Sequence, residues 1–218
     1  MIDKFVPDLA AAMADIPDGA TVMAAGFGPG TPTVLMQGLA EQGACELTLV
    51  VNAGGRDDGP IADLLKTGHI RKLICSFVRA DSVAGRLYAN GELEVEIVPQ
   101  GTLAERIRAA GAGVQAFFTP TAADTVLAEG RETRLINGRL CLLEYPIFAD
   151  VALVDAWQAD RFGNLTHRDS ARNFNPIMAM AAILTIAQTA HVVDLGDIRP
   201  EHVHTAGVFV QRVLHVPV

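Results

Sequence analysis

Aromatic residues are scarce in this chain. They make up 6% of its 218 residues, with a single tryptophan, while hydrophobic residues make up 50%. The core must therefore be assembled from Ala, Val, Leu and Ile, the composition of α/β proteins that bury a parallel sheet. Basic charge is also short. Seventeen Lys and Arg stand against 25 Asp and Glu, giving a net charge of −8. That balance argues against nucleic acid as the main partner, although arginines can still cluster around a nucleotide. Cys45, Cys75 and Cys141 are far apart and form no C-x-x-C, and His202 and His204 lack the i, i+4 spacing of a helical metal site. The expectation is reduced, mostly buried thiols and no metal. Long hydrophobic runs are missing too. Ile177–Ala187 is too short to span a bilayer and is read as a buried core helix. The start, Met1-Ile2-Asp3-Lys4-Phe5, carries an acid too early for a signal peptide. The chain is expected in the cytoplasm, with no membrane partner. It has no linker, low-complexity tract or internal repeat, so one domain over residues 1–218 is expected.

What the chain does have is alternation of strand-like and helix-like stretches. Strands are predicted at Thr21–Ala24, Leu47–Val51, Leu73–Phe77 and Leu93–Val98, with another starting at Gly113–Phe118. Helices are predicted at Val34–Gln42, Ile61–Lys66, Arg86–Ala89 and Leu103–Ala110. This order predicts an α/β fold with a doubly wound, mainly parallel sheet flanked by helices. In the second half Asn137-Gly138 signals a β-hairpin between Arg134–Asn137 and Leu140–Glu144. A strand at Val151–Ala156, a turn at Asp160–Asn164 and a helix starting near Asn175-Pro176 follow.

Ligands of open parallel sheets bind outside the carboxyl ends of the strands. Four turns fall just after predicted strands: Ala25-Gly26-Phe27-Gly28-Pro29-Gly30, Asn52-Ala53-Gly54-Gly55, Pro99-Gln100-Gly101 and Thr119-Pro120-Thr121. They are expected to converge on one edge. The first is a strand–glycine loop–helix unit, which aims backbone N–H groups and a helix N-terminus at an anion or a developing oxyanion. It lacks the Lys-Ser/Thr of a P-loop, and Thr31 stands where the third glycine of G-x-G-x-x-G belongs. Taken alone, a tight turn with no ligand is an equal reading. Asn52 and Gln100 are neutral amides able to hold a carbonyl or a carboxylate, with turn chemistry as the alternative. Glu105 reads as a solvated helix face paired with Arg108, and Glu144 as a structural ion pair. Asn175 is a candidate N-cap ahead of Pro176, and Trp157 packs on the core or an interface.

Together these blocks resemble the A (α) subunit of the 3-oxoacid CoA-transferases. Asp18-Gly19, Gly26-Phe27 and Gly30-Thr31-Pro32 carry the family's glycine signature. Val98-Pro99-Gln100-Gly101-Thr102-Leu103-Ala104-Glu105-Arg106, Phe117-Phe118-Thr119-Pro120-Thr121 and Leu143-Glu144-Tyr145-Pro146 extend the match. Asp160-Arg161-Phe162-Gly163-Asn164-Leu165, Ala171-Arg172-Asn173-Phe174-Asn175-Pro176 and Phe209-Val210-Gln211-Arg212-Val213 carry it to the C-terminus. The chain departs from the family pattern at Ala25 (for glycine), Ala53 (for a second asparagine), Val78 (for proline), Ile183 (for lysine) and Ala206 (for proline). Its glycine loop is also one residue shorter.

The resemblance implies CoA contacts at Ala25, Gly26, Phe27, Gly28, Pro29 and Gly30, and substrate contacts at Asn52, Phe77, Gln100 and Thr119. It implies no permanently bound cofactor, coenzyme A entering as acyl-CoA substrate. In the family a glutamate of a Glu-Asn-Gly motif on the B (β) subunit attacks the thioester, and no Glu-Asn-Gly occurs here. The chain then carries no catalytic nucleophile and works with a B partner, often as two of each chain, to move CoA from succinyl-CoA to an acid such as 3-oxoadipate. Two rivals stand beside this: a degenerate, non-catalytic subunit that only stabilises its partner, and a small-molecule-sensing domain on a related α/β fold.

Overall fold

The computed structural model describes residues 2–217. Eight strands form one parallel array: β1 (Phe5–Val6), β2 (Thr21–Ala24), β3 (Leu47–Val50), β4 (Ile70–Cys75), β5 (Glu94–Ile97), β9 (Ala149–Ala159), β11 (Ala182–Val192) and β12 (Arg212–His215). Their spatial order is β1-β12-β11-β9-β2-β3-β4-β5, and the short β10 (Leu165–Thr166) pairs antiparallel with the end of β9. The chain runs outward from β2 to β5 on one side and from β9 toward β12 on the other. The order reverses between β2 and β9, a topological switch point.

Side chains alternate between two cores, as the pleat requires. Val22, Ala24, Leu49, Val51, Leu73, Cys75, Val151 and Leu153 face one apolar cluster. It is covered by α1 (Leu9–Met13), α2 (Thr33–Gln42), α3 (Pro60–Lys66) and α4 (Val83–Ala89). Met23, Ala25, Val50, Ile74, Ala152 and Val154 face the other, covered by α5 (Gln100–Gly111) and α6 (Asn175–Ala181). Helices thus cover both faces, as a doubly wound sheet demands.

A separate three-stranded antiparallel sheet has the order β6-β8-β7. Its strands are β6 (Phe117–Thr119), β7 (Thr133–Ile136) and β8 (Arg139–Glu144). The β7–β8 turn is Asn137-Gly138, with φ of 50° and 76°, and Ile136 faces Arg139 across it. Positive φ at both turn residues matches the right-handed twist of the strands they join. The predicted hairpin is therefore present, widened by β6.

One expectation is corrected here. The run Ile177–Ala187 is not one helix: α6 ends at Ala181 and β11 starts at Ala182 with no loop between them. Thr185 and Ile186 are β-branched, and pairing with β9, for Ile186 also with β12, takes them into the sheet. The turn Thr119-Pro120-Thr121 follows β6, which pairs antiparallel with β8 in the smaller sheet, and Ala122 beside it lines a hollow with Val98 and Pro99 just beyond β5.

Candidate active site

The glycine loop follows β2 at the switch point. Its path needs glycine at Gly26, Gly28 and Gly30, with φ of 109°, 77° and 75°. Two of these are also steric requirements. A Cβ on Gly26 would lie 2.7 Å from Thr31 Cα, and one on Gly30 would run into the carbonyl of Ala171 and come 2.8 Å from Asn175 Nδ2. Nothing stands within 4 Å of a Cβ on Gly28. The Thr31 hydroxyl closes the loop by donating to the Gly28 carbonyl at 2.8 Å. Phe27 N donates to Pro29 O, whereas the amides of Gly26 and Gly28 donate to no protein acceptor among the described residues.

The loop borders a cavity of about 310 Å³. Ala25, Gly26, Phe27, Gly28 and Thr31 line one wall, and Asn52, Ala53, Gly55, Arg56 and Ile61 another. Among the described residues, Arg56 is the one charged side chain lining it. Ala25 shows little of itself to this space. It is 3% exposed, packs in the second core cluster, and donates its amide to Leu153 O on β9 at 3.0 Å.

The other expected contacts sort clearly. Asn52 lies just beyond β3, is buried, and accepts from Gln100 Nε2 at 2.6 Å. Gln100 opens α5 just beyond β5, so parallel pairing brings these amides together from positions 48 residues apart. An amide pair of this kind uses one donor and one acceptor and keeps others for a substrate. Phe77 follows β4 and is 59% exposed, and Phe27 is 58% exposed. Neither Phe77 nor Gln100 lines the cavity itself. Thr119 lies in the small sheet, where its hydroxyl accepts from Thr121 N. Pro29 and Gly30 turn away from the cavity toward the entry to α6. Pro29 O accepts from Asn173 Nδ2 at 3.0 Å, and Gly30 O from Asn175 Nδ2 at 3.1 Å.

Asn175 does not cap α6. Phe174 holds the cap position, and the Asn175 side chain is fully buried between the glycine loop and β9. It donates to Gly30 O and Ala171 O and accepts from Asp155 N at 2.8 Å. A second buried amide, Gln188 on β11, was not singled out by the sequence. Its Oε1 accepts from Val34 N and Leu35 N at the start of α2, and its Nε2 donates to Asp155 Oδ1 at 2.9 Å. An amide directly after the apolar run that ends at Ala187 was the available signal.

The carboxylates behave as structural groups. Glu144, 2% exposed, bonds Arg131 at 2.7 Å and lies 3.8 Å from Arg106, which also reaches Glu96 at 3.0 Å. This network ties the small sheet to α5 and β5. Glu105 pairs with Arg108 on the surface. Burial pushes the Asp155 carboxyl above its usual range, partly offset by the Gln188 hydrogen bond. Burial pushes His167 down to about 4. Its Nδ1 faces the Asp155 carbonyl at 2.9 Å, which only accepts, so Nδ1 carries the proton and Nε2 accepts from the Thr205 hydroxyl. Trp157 is partly exposed, edge-on to His191 and beneath the Arg168 guanidinium.

The site thus offers glycine-loop amides without a protein acceptor among the described residues and a pocket with an asparagine–glutamine pair beside it. The coenzyme A transferase profile matches residues 6–215. The chain belongs to the coenzyme A transferase family. It is 52% identical over 219 residues to the A subunit of the 3-oxoadipate CoA-transferase of Pseudomonas putida, covering 99% of this chain and 95% of that one. It is 46% identical over 213 residues to the A subunit of the succinyl-CoA:3-ketoacid coenzyme A transferase of Xanthomonas campestris pv. campestris, covering 97% and 88%. In fold it resembles an acyl-CoA transferase of Escherichia coli O157:H7 solved as a thioester complex with CoA. There the TM-score is 0.87 at 21% identity, over 99% of this chain and 47% of that one. This CoA-transferase chain thus spans about half the length of that solved chain. Among the described residues, no helix is long and apolar enough to cross a membrane.

Proposed function

We propose that this chain is the A half of a two-component transferase that moves CoA from succinyl-CoA to a 3-oxo acid such as 3-oxoadipate. The observation that carries this is the Asn52–Gln100 pair at 2.6 Å, placed next to a glycine loop with undonated amides at the switch point. The loop amides of Gly26 and Gly28 suit the oxygen that gains charge when a thioester carbonyl is attacked. Asn52 and Gln100 suit the carboxylate or carbonyl of the acid. The pocket beside Ala25, Phe27 and Ala53 has room for a short acyl chain. Contacts to CoA at Ala25, Gly26, Phe27 and Gly28 belong to this reading; Pro29 and Gly30 contribute the shape of the loop.

The nucleophile comes from the partner. Its glutamate carboxylate attacks the succinyl thioester carbonyl, expelling CoA thiolate and forming a mixed anhydride; the thiolate then attacks the glutamyl carbonyl, so succinate leaves with one oxygen of the glutamate and CoA is held as a glutamyl thioester. The acceptor acid then reverses the step, breaking the glutamyl thioester and leaving as acyl-CoA with the carboxylate restored. One thioester is broken and one made in each half, so no oxidant, reductant or metal is needed.

The test is to assay the chain with and without its B partner. The pair is expected to exchange labelled succinate into succinyl-CoA with no acceptor present, the mark of ping-pong transfer. The chain alone is expected to show no turnover. Turnover by a preparation free of any second component overturns the reading.

A further inference from the structure

Burying an amide side chain is unfavourable unless its donors and acceptors are satisfied. Asn175 and Gln188 meet this requirement in an unusual way. Neither bonds within its own element. Each reaches across to the glycine loop or to the helix that follows it, and each also reaches to Asp155. Asn175 takes the backbone amide of Asp155, and Gln188 its carboxylate.

Strand β9 consequently grips the loop at both ends. At the start, Leu153 O accepts from Ala25 N. At the finish, Asp155 holds Asn175 against the Gly30 carbonyl and holds Gln188 against the amides of Val34 and Leu35. Helix α2 has Pro32 at its N-cap and no side-chain cap of its own, so Gln188 supplies from β11 what a local Ser or Asp supplies elsewhere. Between these grips lie Gly26 and Gly28, whose amides are undonated. A loop with three positive-φ glycines has many conformations open to it, and aimed amides act on a developing charge only when their directions are set beforehand.

We infer that Asn175 and Gln188, joined through Asp155, are positioning residues that fix the glycine loop for acyl-CoA. This rests on the reading of that loop as the acyl-CoA site. The chemistry of the three side chains indicates a sharp test. In Gln188→Glu the acceptor for Val34 and Leu35 remains, but the donor to Asp155 becomes a second carboxylate. In the double variant Asp155→Asn with Gln188→Glu the bond returns with its direction reversed. The new amide on β9 then donates to the new carboxylate on β11.

The assay uses the assembled A and B subunits with succinyl-CoA, normalised to folded protein by circular dichroism. The single variant is expected to lower kcat/KM for succinyl-CoA by about ten- to a hundredfold, the cost of misplaced amides. The double variant is expected to recover most of that loss. A Gln188→Glu complex with wild-type kcat/KM overturns the inference, as does a double variant no better than the single. A stabilising role alone would lower the folded fraction and leave kcat/KM of the folded complex untouched. A wild-type complex without transferase activity overturns the underlying reading instead, so the two failures are distinct.

Discussion

Gly28 and Gly30 have nearly the same backbone conformation, with φ of 77° and 75°, but very different surroundings. Replacing each by alanine separates the two ways in which a glycine loop depends on its glycines. At Gly28 the added methyl meets nothing within 4 Å. Only the left-handed backbone is penalised, by about 1–2 kcal/mol. At Gly30 the same penalty applies, and the methyl also lands on the Ala171 carbonyl and 2.8 Å from Asn175 Nδ2. Forcing a methyl into packed surroundings costs about 1–3 kcal/mol more. Displacing Asn175 from Gly30 O forfeits a buried hydrogen bond of about 1 kcal/mol. Gly30→Ala should therefore lose about 2–4 kcal/mol beyond Gly28→Ala. For a chain of this size each kcal/mol moves Tm by about 2–4 °C, so the two variants should melt about 10 °C apart. Urea unfolding followed by far-ultraviolet circular dichroism gives the free energies directly. If Gly30→Ala is no less stable than Gly28→Ala, the docking of the loop on the α6 entry is not what holds it.

Two further outcomes follow from the buried charges. Glu144→Ala leaves Arg131 without its 2.7 Å partner, while Arg106 keeps Glu96 at 3.0 Å, and breaking a buried pair costs about 3–5 kcal/mol. Arg131 is partly exposed and relaxes into water, so a loss near about 3 kcal/mol is expected in urea titration, and a loss under about 1 kcal/mol refutes the network. His167 supplies a pH dependence. Its folded pKa is lowered from 6.5 to about 4, so the unfolded chain binds more protons between those values and stability falls as pH drops through that window. The loss reaches about 3 kcal/mol at pH 4. Asp155, whose pKa is raised, works in the opposite sense, so the His167 share is read as the difference between wild type and His167→Gln. Curves that stay parallel from pH 7 to about 4 refute the assignment.

The parallel sheet was legible because burial on both faces leaves a simple trace. Thr21–Ala24 and Leu47–Val50 are short apolar runs followed by Gly- or Asn-rich turns, and each became a strand ending at the site. Ile177–Ala187 was not legible for the same reason: a run apolar all round satisfies a buried helix and a buried strand equally. The boundary at Ala181–Ala182 is set by neighbours, since β9 and β12 offer open edges to residues 182–192 and nothing local marks the change. The pairing of the strand that holds Thr119 was not legible either. A strand in isolation carries no record of whether its partner runs parallel, and β8 claimed β6 from the second half of the chain.

The site divides along the same physical line. Residues that act through their own backbone conformation announce themselves, so Gly26, Gly28 and Gly30 were visible from spacing alone. Residues that act across the fold do not. Asn175 satisfies every local rule for an N-cap: a short amide ahead of Pro176 at the start of a helix. The rule fails because a better set of partners stands nearby. Gly30 O, Ala171 O and Asp155 N lie within hydrogen-bonding reach, and they occupy both donors and the acceptor in a dry environment where the N-cap offers one bond near water. Gln188 is the stronger case. An amide inside a buried strand violates the pattern that places it there, and such a violation survives only with a full set of partners. Its partners sit more than 150 residues away in the chain at Val34 and Leu35. The buried amide at the end of the apolar run was therefore itself the signal of distant partners, and the parallel order β2-β9-β11 converts that signal into a position next to the helix that follows the glycine loop.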